Sequence, residues 1–257
     1  MENMFNFLAD SYELFLLVFI RASGIFLFSP LFSSQNIPNI FKTGFSLIFS
    51  LLLTLNLGIE YLGQANGNLI VLIVKELMVG IIIGYISYVF FSVFYILGQI
   101  VDMEIGFGMV NVIDPQNKIQ IPVMGNFYYI LALLIFLSIN GHHFIIKALV
   151  DSYKYIPIGG FDIGEATTKQ LVDILANTFS LGFKIASPIV VIILLTDILL
   201  GILSRTIPQM NVFVVGLPLK IIAGMLIIAA TIPIFNVLTG HVFKDMFKEI
   251  YTFLKGP

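Results

Sequence analysis

An all-α membrane protein, made of long kinked apolar helices and helical hairpins, is the fold class this sequence predicts. Three observations predict it. Of the 257 residues, 58% are hydrophobic and only 11% charged, and the mean hydropathy is +1.02; soluble domains average about 25% charged residues. Six apolar regions recur along the chain, at about 14–33, 43–62, 69–101, 123–139, 185–203 and 212–238. Most approach the roughly 20 residues a helix needs to cross a hydrocarbon core of about 30 Å. One of them also carries its small and polar residues at helical spacing, as a packed transmembrane helix does.

The same composition excludes several function classes. A formal net charge of -2 leaves no basic footprint for nucleic acid. The absence of cysteine removes disulfides, iron–sulfur clusters and thiolate zinc sites together. Glu2, Asp10 and Glu13 precede the first basic residue, Arg21, whereas a cleavable signal opens on a basic segment. The first apolar stretch is therefore expected to stay in the mature protein.

Taken in order, region 14–33 carries Arg21 near its middle and Pro30 near its end. Region 69–101 is too long for one ordinary span: as a continuous helix it would extend about 50 Å at 1.5 Å per residue. It must tilt, kink, leave the bilayer or fold as a hairpin. Glu76, Gly80, Gly84, Ser87, Tyr95, Gly98 and Asp102 fall at steps of three, four or eight and so share one helical face. Gly80 and Gly84 form a GxxxG inside that stripe, which permits close backbone contact, so a long helix packed among partners is favoured.

Residues 140–184 form the most polar stretch, with Lys147, Asp151, Lys154, Asp162, Glu165, Lys169, Asp173 and Lys184. Pro157 and Gly159-Gly160 add turn signals. A solvent-exposed excursion with short amphipathic pieces is expected there. Region 185–203 holds thirteen Ile, Leu or Val residues; at roughly -0.3 to -0.6 kcal/mol each they outweigh a penalty of about 3 kcal/mol for Asp197. Lys244, Lys248 and Lys255 follow the last apolar region, which places the C-terminus in the cytoplasm under the positive-inside rule. No repeat or separable soluble domain is visible, and the chain reads as one membrane unit over 1–257.

Arg21, Glu76 and Asp197 lie inside apolar segments and Arg205 at the end of one. Each costs about 2.5–3.5 kcal/mol at a helix centre, so each must face protein or water. Ion pairing or packing and a direct transport role are the two readings. Asp197, Gly201 and Arg205 lie four apart on one face, which should meet another helix or subunit. Asp197 and Arg205 are separated by about 12 Å along a regular helix and cannot pair directly.

The segment 102–122 combines loop punctuation (Gly106, Gly108, Pro115, Pro122) with apolar side chains (Phe107, Met109, Val110, Val112, Ile113, Ile119, Ile121). Irregular backbone at membrane depth survives only when buried in protein or lining a cavity. It reads either as a loop folded onto its own bundle or as a flexible apolar stopper in a conduit, with Gly and Met giving adaptability. Enzyme chemistry finds no constellation. His142 and His143 are adjacent rather than i, i+4, and no P-loop, Rossmann or GxSxG motif occurs.

Arg205-Thr-Ile-Pro208-Gln209-Met210-Asn211-Val-Phe213, followed by Gly216-Leu-Pro218-Leu-Lys220, resembles the signature of the FliR/SctT family of type III export-apparatus proteins. So does Gly106-Phe107-Gly108-Met109-Val110-Asn111-Val112-Ile113-Asp114-Pro115, upstream of Pro122. Phe19-Ile-Arg21 with Pro30, Glu76 with Gly80 and Gly84, and Gly141-His142-His143 match in order and spacing, so the resemblance covers nearly the whole chain.

That resemblance implies a non-enzymatic, single-copy subunit, in the bacterial inner membrane at the flagellar basal body. It would assemble with several copies of FliP and FliQ into a helical export-gate shell, with FlhB and FlhA as further partners. Exported unfolded flagellar proteins would pass through the pore, and lipid would border it. Residues about 1–176 resemble FliP and about 177–257 a FliQ-type helical hairpin. The loop at 106–122 would plug the closed pore, and Arg21, Glu76, Gly80, Gly84, Asp197, Arg205, Pro208, Gln209 and Asn211 would serve subunit packing. No cofactor or metal is implied. An injectisome subunit of SctT type shares this chemistry, though the run NVFVVGLPLKI is closer to the flagellar form. A small secondary transporter would need a midplane site between two similar halves, and no internal repeat supports one.

Overall fold

Leu14, Val18, Ala22 and Ile25 recur at steps of three and four, and all are buried. This stripe is the inner face of the first helix, α1 (Glu2–Phe28), in a computed structural model of the chain. The structure describes residues 2–33, 37–57, 68–108, 122–207, 209 and 211–256, with the side chains of 2–11, 212 and 213 excepted. Among the described residues the elements are seven helices and no strand: α1, α2 (Asn39–Leu57), α3 (Leu69–Ile105), α4 (Val123–Ser138), α5 (Gly141–Tyr155), α6 (Glu165–Thr206) and α7 (Val212–Lys255).

Local chemistry sets several of these ends. Asn68 opens α3 by accepting the Ile70 amide on Oδ1 at 3.1 Å, an N-cap bond. Gly106, at φ 96, closes it in the left-handed region that glycine occupies without a steric penalty. Between α4 and α5 stand only Ile139 and Asn140, the latter at φ 57, a conformation Asn tolerates better than most residues.

Helices α2, α3, α6 and α7 are each long and apolar enough to cross a membrane; α4 and α5 add a fifth crossing if counted as one bent span. The all-α membrane class is thus realised. At 42 and 44 residues, α6 and α7 run about 63 and 66 Å, roughly twice a bilayer core.

The stretch 140–184 departs from expectation in part. A short helix buried along one face, α5, and the turn at 157–160 are as expected, but from Glu165 on the stretch opens the 42-residue α6. The reason lies in a stripe that continues through the polar composition: Ile174, Thr178, Gly182, Ala186, Ile189, Ile193, Thr196 and Leu200 are all buried at steps of three or four. Lys169, Asp173 and Lys184 occupy the exposed faces of the same helix.

The chain divides into two compact units. The first comprises 1–90, 140–174 and 244–257, and the second 91–139 and 175–243. In the first, Phe26 meets Phe32, Phe45 and Phe49 edge-on, at centroid distances of 4.7, 5.2 and 6.4 Å, binding α1 to α2. In the second, Phe91, Phe94, Phe136 and Phe243 form a buried aromatic core.

Candidate functional site

Three places gather the polar residues that an apolar chain can carry only at a cost. The first lies within the first unit. The side chains of Arg21 and Glu76 have no exposed surface, and Arg21 Nε donates to Glu76 Oε2 at 2.6 Å. Nη1 donates to Ser152 Oγ at 3.0 Å, and both Nη1 and Nη2 donate to the Ile156 carbonyl at 3.1 Å. The Tyr153 ring lies 4.2 Å from the guanidinium carbon, a cation–π arrangement. Glu76 Oε1 accepts the amide of Gly159 at 3.0 Å, and Gly159 sits at φ 74. Lys75 Nζ adds bonds to the Gly159 carbonyl at 3.1 Å and to Asp162 Oδ1 at 2.9 Å.

Together these bonds fasten the turn after α5 onto α1 and α3. A buried charge survives only when paired and hydrogen-bonded, and here both charges also satisfy backbone groups that no helix can. The carbonyl that Arg21 binds is that of Ile156, the extended residue just past the end of α5.

Glycines let the helices come this close. A Cβ on Gly80 would strike the Arg21 carbonyl oxygen, and one on Gly84 would lie 2.7 Å from Phe28 Cβ. The stripe foreseen on α3 is buried at Glu76, Gly80, Gly84, Ser87, Gly98 and Asp102, whereas Tyr95 is exposed. Arg21, Glu76, Gly80 and Gly84, expected to serve packing between subunits, make the contacts just described inside one chain.

The second place is where α3 meets α4 in the second unit. Asp102 is 5% exposed. Its Oδ1 and Oδ2 each accept the Met124 amide at 3.0 Å, and Oδ2 also accepts the Gly125 amide at 3.3 Å. Pro122 at the head of α4 offers no side-chain cap, so these first-turn amides would otherwise be orphaned. A Cβ on Gly98 would collide with the backbone of Gly125. Of the segment 106–122, Gly106, Phe107, Gly108 and Pro122 are partly buried. Met109, Val110, Asn111, Val112, Ile113, Asp114 and Pro115 lie outside the described residues.

The third is the hairpin of α6 and α7. Lys220 Nζ donates to Asp197 Oδ2 at 2.9 Å, with the side chains 20% and 46% exposed. Nearer the tip, Arg205, Gln209 and Asn211 are exposed, and Pro208 lies outside the described residues. Along α6 ahead of them, Leu194, Leu195, Ile198, Leu199 and Ile202 are exposed as well. Among the described residues no three His, Cys, Asp or Glu side chains converge as metal ligands.

Sequence reasoning missed Ser152, Lys75 and Lys220 as partners, and it placed Asp102 on the buried face without its capping role. A buried aspartate facing a proline-headed helix was the available signal for the last.

The family model described as bacterial export proteins, family 1, matches residues 12–247. The chain belongs to that family. As one of these bacterial export proteins, it is 34% identical over 242 residues to the flagellar biosynthetic protein FliR of Bacillus subtilis (strain 168), covering 93% of each chain. It is 31% identical over 250 residues to the FliR of Aquifex aeolicus (strain VF5), covering 94% of this chain and 93% of the relative. The surface presentation of antigens protein SpaR of Shigella sonnei is 29% identical over 218 residues, covering 82% of each. This export protein is accordingly a FliR-type membrane component of the flagellar export apparatus.

Proposed function

We propose that this chain is a single-copy subunit of the flagellar export gate, forming with several FliP and FliQ copies the pore for unfolded flagellar subunits. FlhB and FlhA are its further neighbours. The carrying observation is the near end-to-end family match to FliR proteins. Helices about twice the bilayer's thickness, apolar on their outer faces, support it: such faces call for protein partners beyond the lipid. The α6–α7 hairpin favours a FliQ-like part at about 177–257 following a FliP-like part at about 1–176. The gate sits in the inner membrane, with the C-terminal Lys244, Lys248 and Lys255 on the cytoplasmic side.

In this reading Phe107, Met109, Val110, Val112 and Ile113 seal the closed pore, while Gly106 and Gly108 let the segment through Asn111, Asp114, Pro115 and Pro122 move aside. Asp197, Arg205, Pro208, Gln209 and Asn211 meet neighbouring subunits. Native mass spectrometry after gentle co-purification from cells expressing the whole operon tests the assembly. One copy of this chain beside several FliP and FliQ copies is expected; a monomer or homodimer with those partners intact overturns it. For the plug, deleting 107–113 is expected to leave assembly intact and raise small-ion leakage, and unchanged conductance overturns it.

A further inference from the structure

Asp197 carries a carboxylate into an apolar setting. It lies within the run 185–203, about 14 Å along α6 from its end at Thr206. Its side chain is nevertheless 46% exposed, and Leu194, Ile198 and Leu199 beside it are exposed too. Lys220 donates to Oδ2 at 2.9 Å. Among the described residues Oδ1 accepts no hydrogen bond. One turn nearer the tip, on the same face, Gly201 has open space where a Cβ would stand. A neighbouring backbone can come close there, next to the open carboxylate oxygen.

The charge balance of the pair decides what can cover it. Lys220 already neutralises Asp197, so a second cation at Oδ1 would leave one uncompensated charge in an apolar belt. Acyl chains carry no hydrogen-bond donor, so lipid would leave Oδ1 without a partner. A hydroxyl or amide on a neighbouring helix supplies the hydrogen and adds no charge. We propose that the Asp197–Gly201 face of α6 receives a helix of a neighbouring membrane subunit. That helix packs its backbone against Gly201 and donates from a neutral Ser, Thr, Asn or Gln side chain to Asp197 Oδ1. The proposal rests on the assembly reading above and names the chemistry of one of its contacts.

The test uses the complex co-purified from cells expressing the whole operon, with recovery of FliP and FliQ as the readout. Exchanging the pair, Asp197→Lys with Lys220→Asp, keeps an ion pair but moves the acceptor onto α7. Recovery is expected to fall about tenfold or more, the effect of losing a hydrogen bond to a charged group. Asp197→Asn with Lys220→Gln keeps an acceptor oxygen at position 197 without any charge, and is expected to restore most of the recovery. A cationic partner would lose its counter-charge in that variant and would not be rescued. Gly201→Leu is expected to lower recovery without lowering the unfolding temperature of the chain alone, followed by helical circular dichroism. Should the exchanged chain not fold, a benzophenone side chain placed at Ile198 in the otherwise unaltered complex reads the same contact. It is expected to crosslink to a FliP or FliQ helix, and crosslinking to lipid alone overturns the proposal. If the folded exchange variant or Gly201→Leu recovers FliP and FliQ as the parent does, the proposal is overturned while the assembly reading stands. The same holds if the Asn–Gln variant recovers no more than the exchange variant. If the parent chain itself recovers neither partner, the assembly reading falls and takes this proposal with it.

Discussion

Arg21 and Glu76 meet at 2.6 Å with neither side chain exposed, although 55 residues separate them in the chain. Their further bonds reach Ser152 on α5 and the turn at 156–159, so one ion pair holds three separate segments together.

Removing one partner strands the other. Glu76→Leu is expected to cost about 3–5 kcal/mol, because Arg21 is then buried without a counter-charge. The double change Arg21→Met with Glu76→Leu should cost less than either single change. Thermal unfolding in detergent, followed by helical circular dichroism, gives the ordering; a double variant worse than both singles would contradict it. Arg21→Lys should not rescue, since one ammonium cannot replace the guanidinium's fork at Glu76, Ser152 and Ile156.

Glycine substitutions should split by environment. Gly80→Ala drives a methyl into the Arg21 carbonyl and is expected to cost about 1–3 kcal/mol as overpacking. Gly201→Ala, in α6 with open space around its Cβ position, should instead stabilise the chain by about 0.5–1 kcal/mol. Unfolding midpoints moving in opposite directions are the expected result.

Phe136 is fully buried, with its ring centroid 5.2 Å from that of Phe91 and 5.0 Å from that of Phe243. Phe136→Ala should destabilise the second unit by about 3–5 kcal/mol. Hydrogen exchange along 91–139 should quicken more than exchange along α1.

Arg205 and Gln209 are exposed near the tip of the hairpin. Arg205→Ala and Gln209→Ala should leave the isolated chain within about 0.5 kcal/mol of the parent, yet lower recovery of FliP and FliQ on co-purification. Full recovery would remove these residues from the subunit interface.

The helical membrane class was legible because apolar content and periodicity are local properties, and the stripe from Glu76 to Asp102 placed six of its seven residues on buried faces. Within 140–184 the part from Glu165 on misled, because mean polarity was weighed ahead of period. Its charges occupy the outside of α6, whose inner face continues unbroken from Ile174 to Leu200.

The amino-acid sequence alone determined that this chain lives in a membrane as helices, that it belongs among the FliR-like export proteins, and that its few intramembrane charges must be satisfied by something. Only the tertiary structure decided by what. Arg21 found Glu76, Ser152 and the Ile156 carbonyl, Asp197 found Lys220, and Asp102 found the open amides of α4. Helix period and hydropathy depend on neighbours a few residues away. An ion pair or a borrowed cap depends on which distant helix faces come into contact, and glycines such as Gly80 and Gly98 set how closely those faces approach.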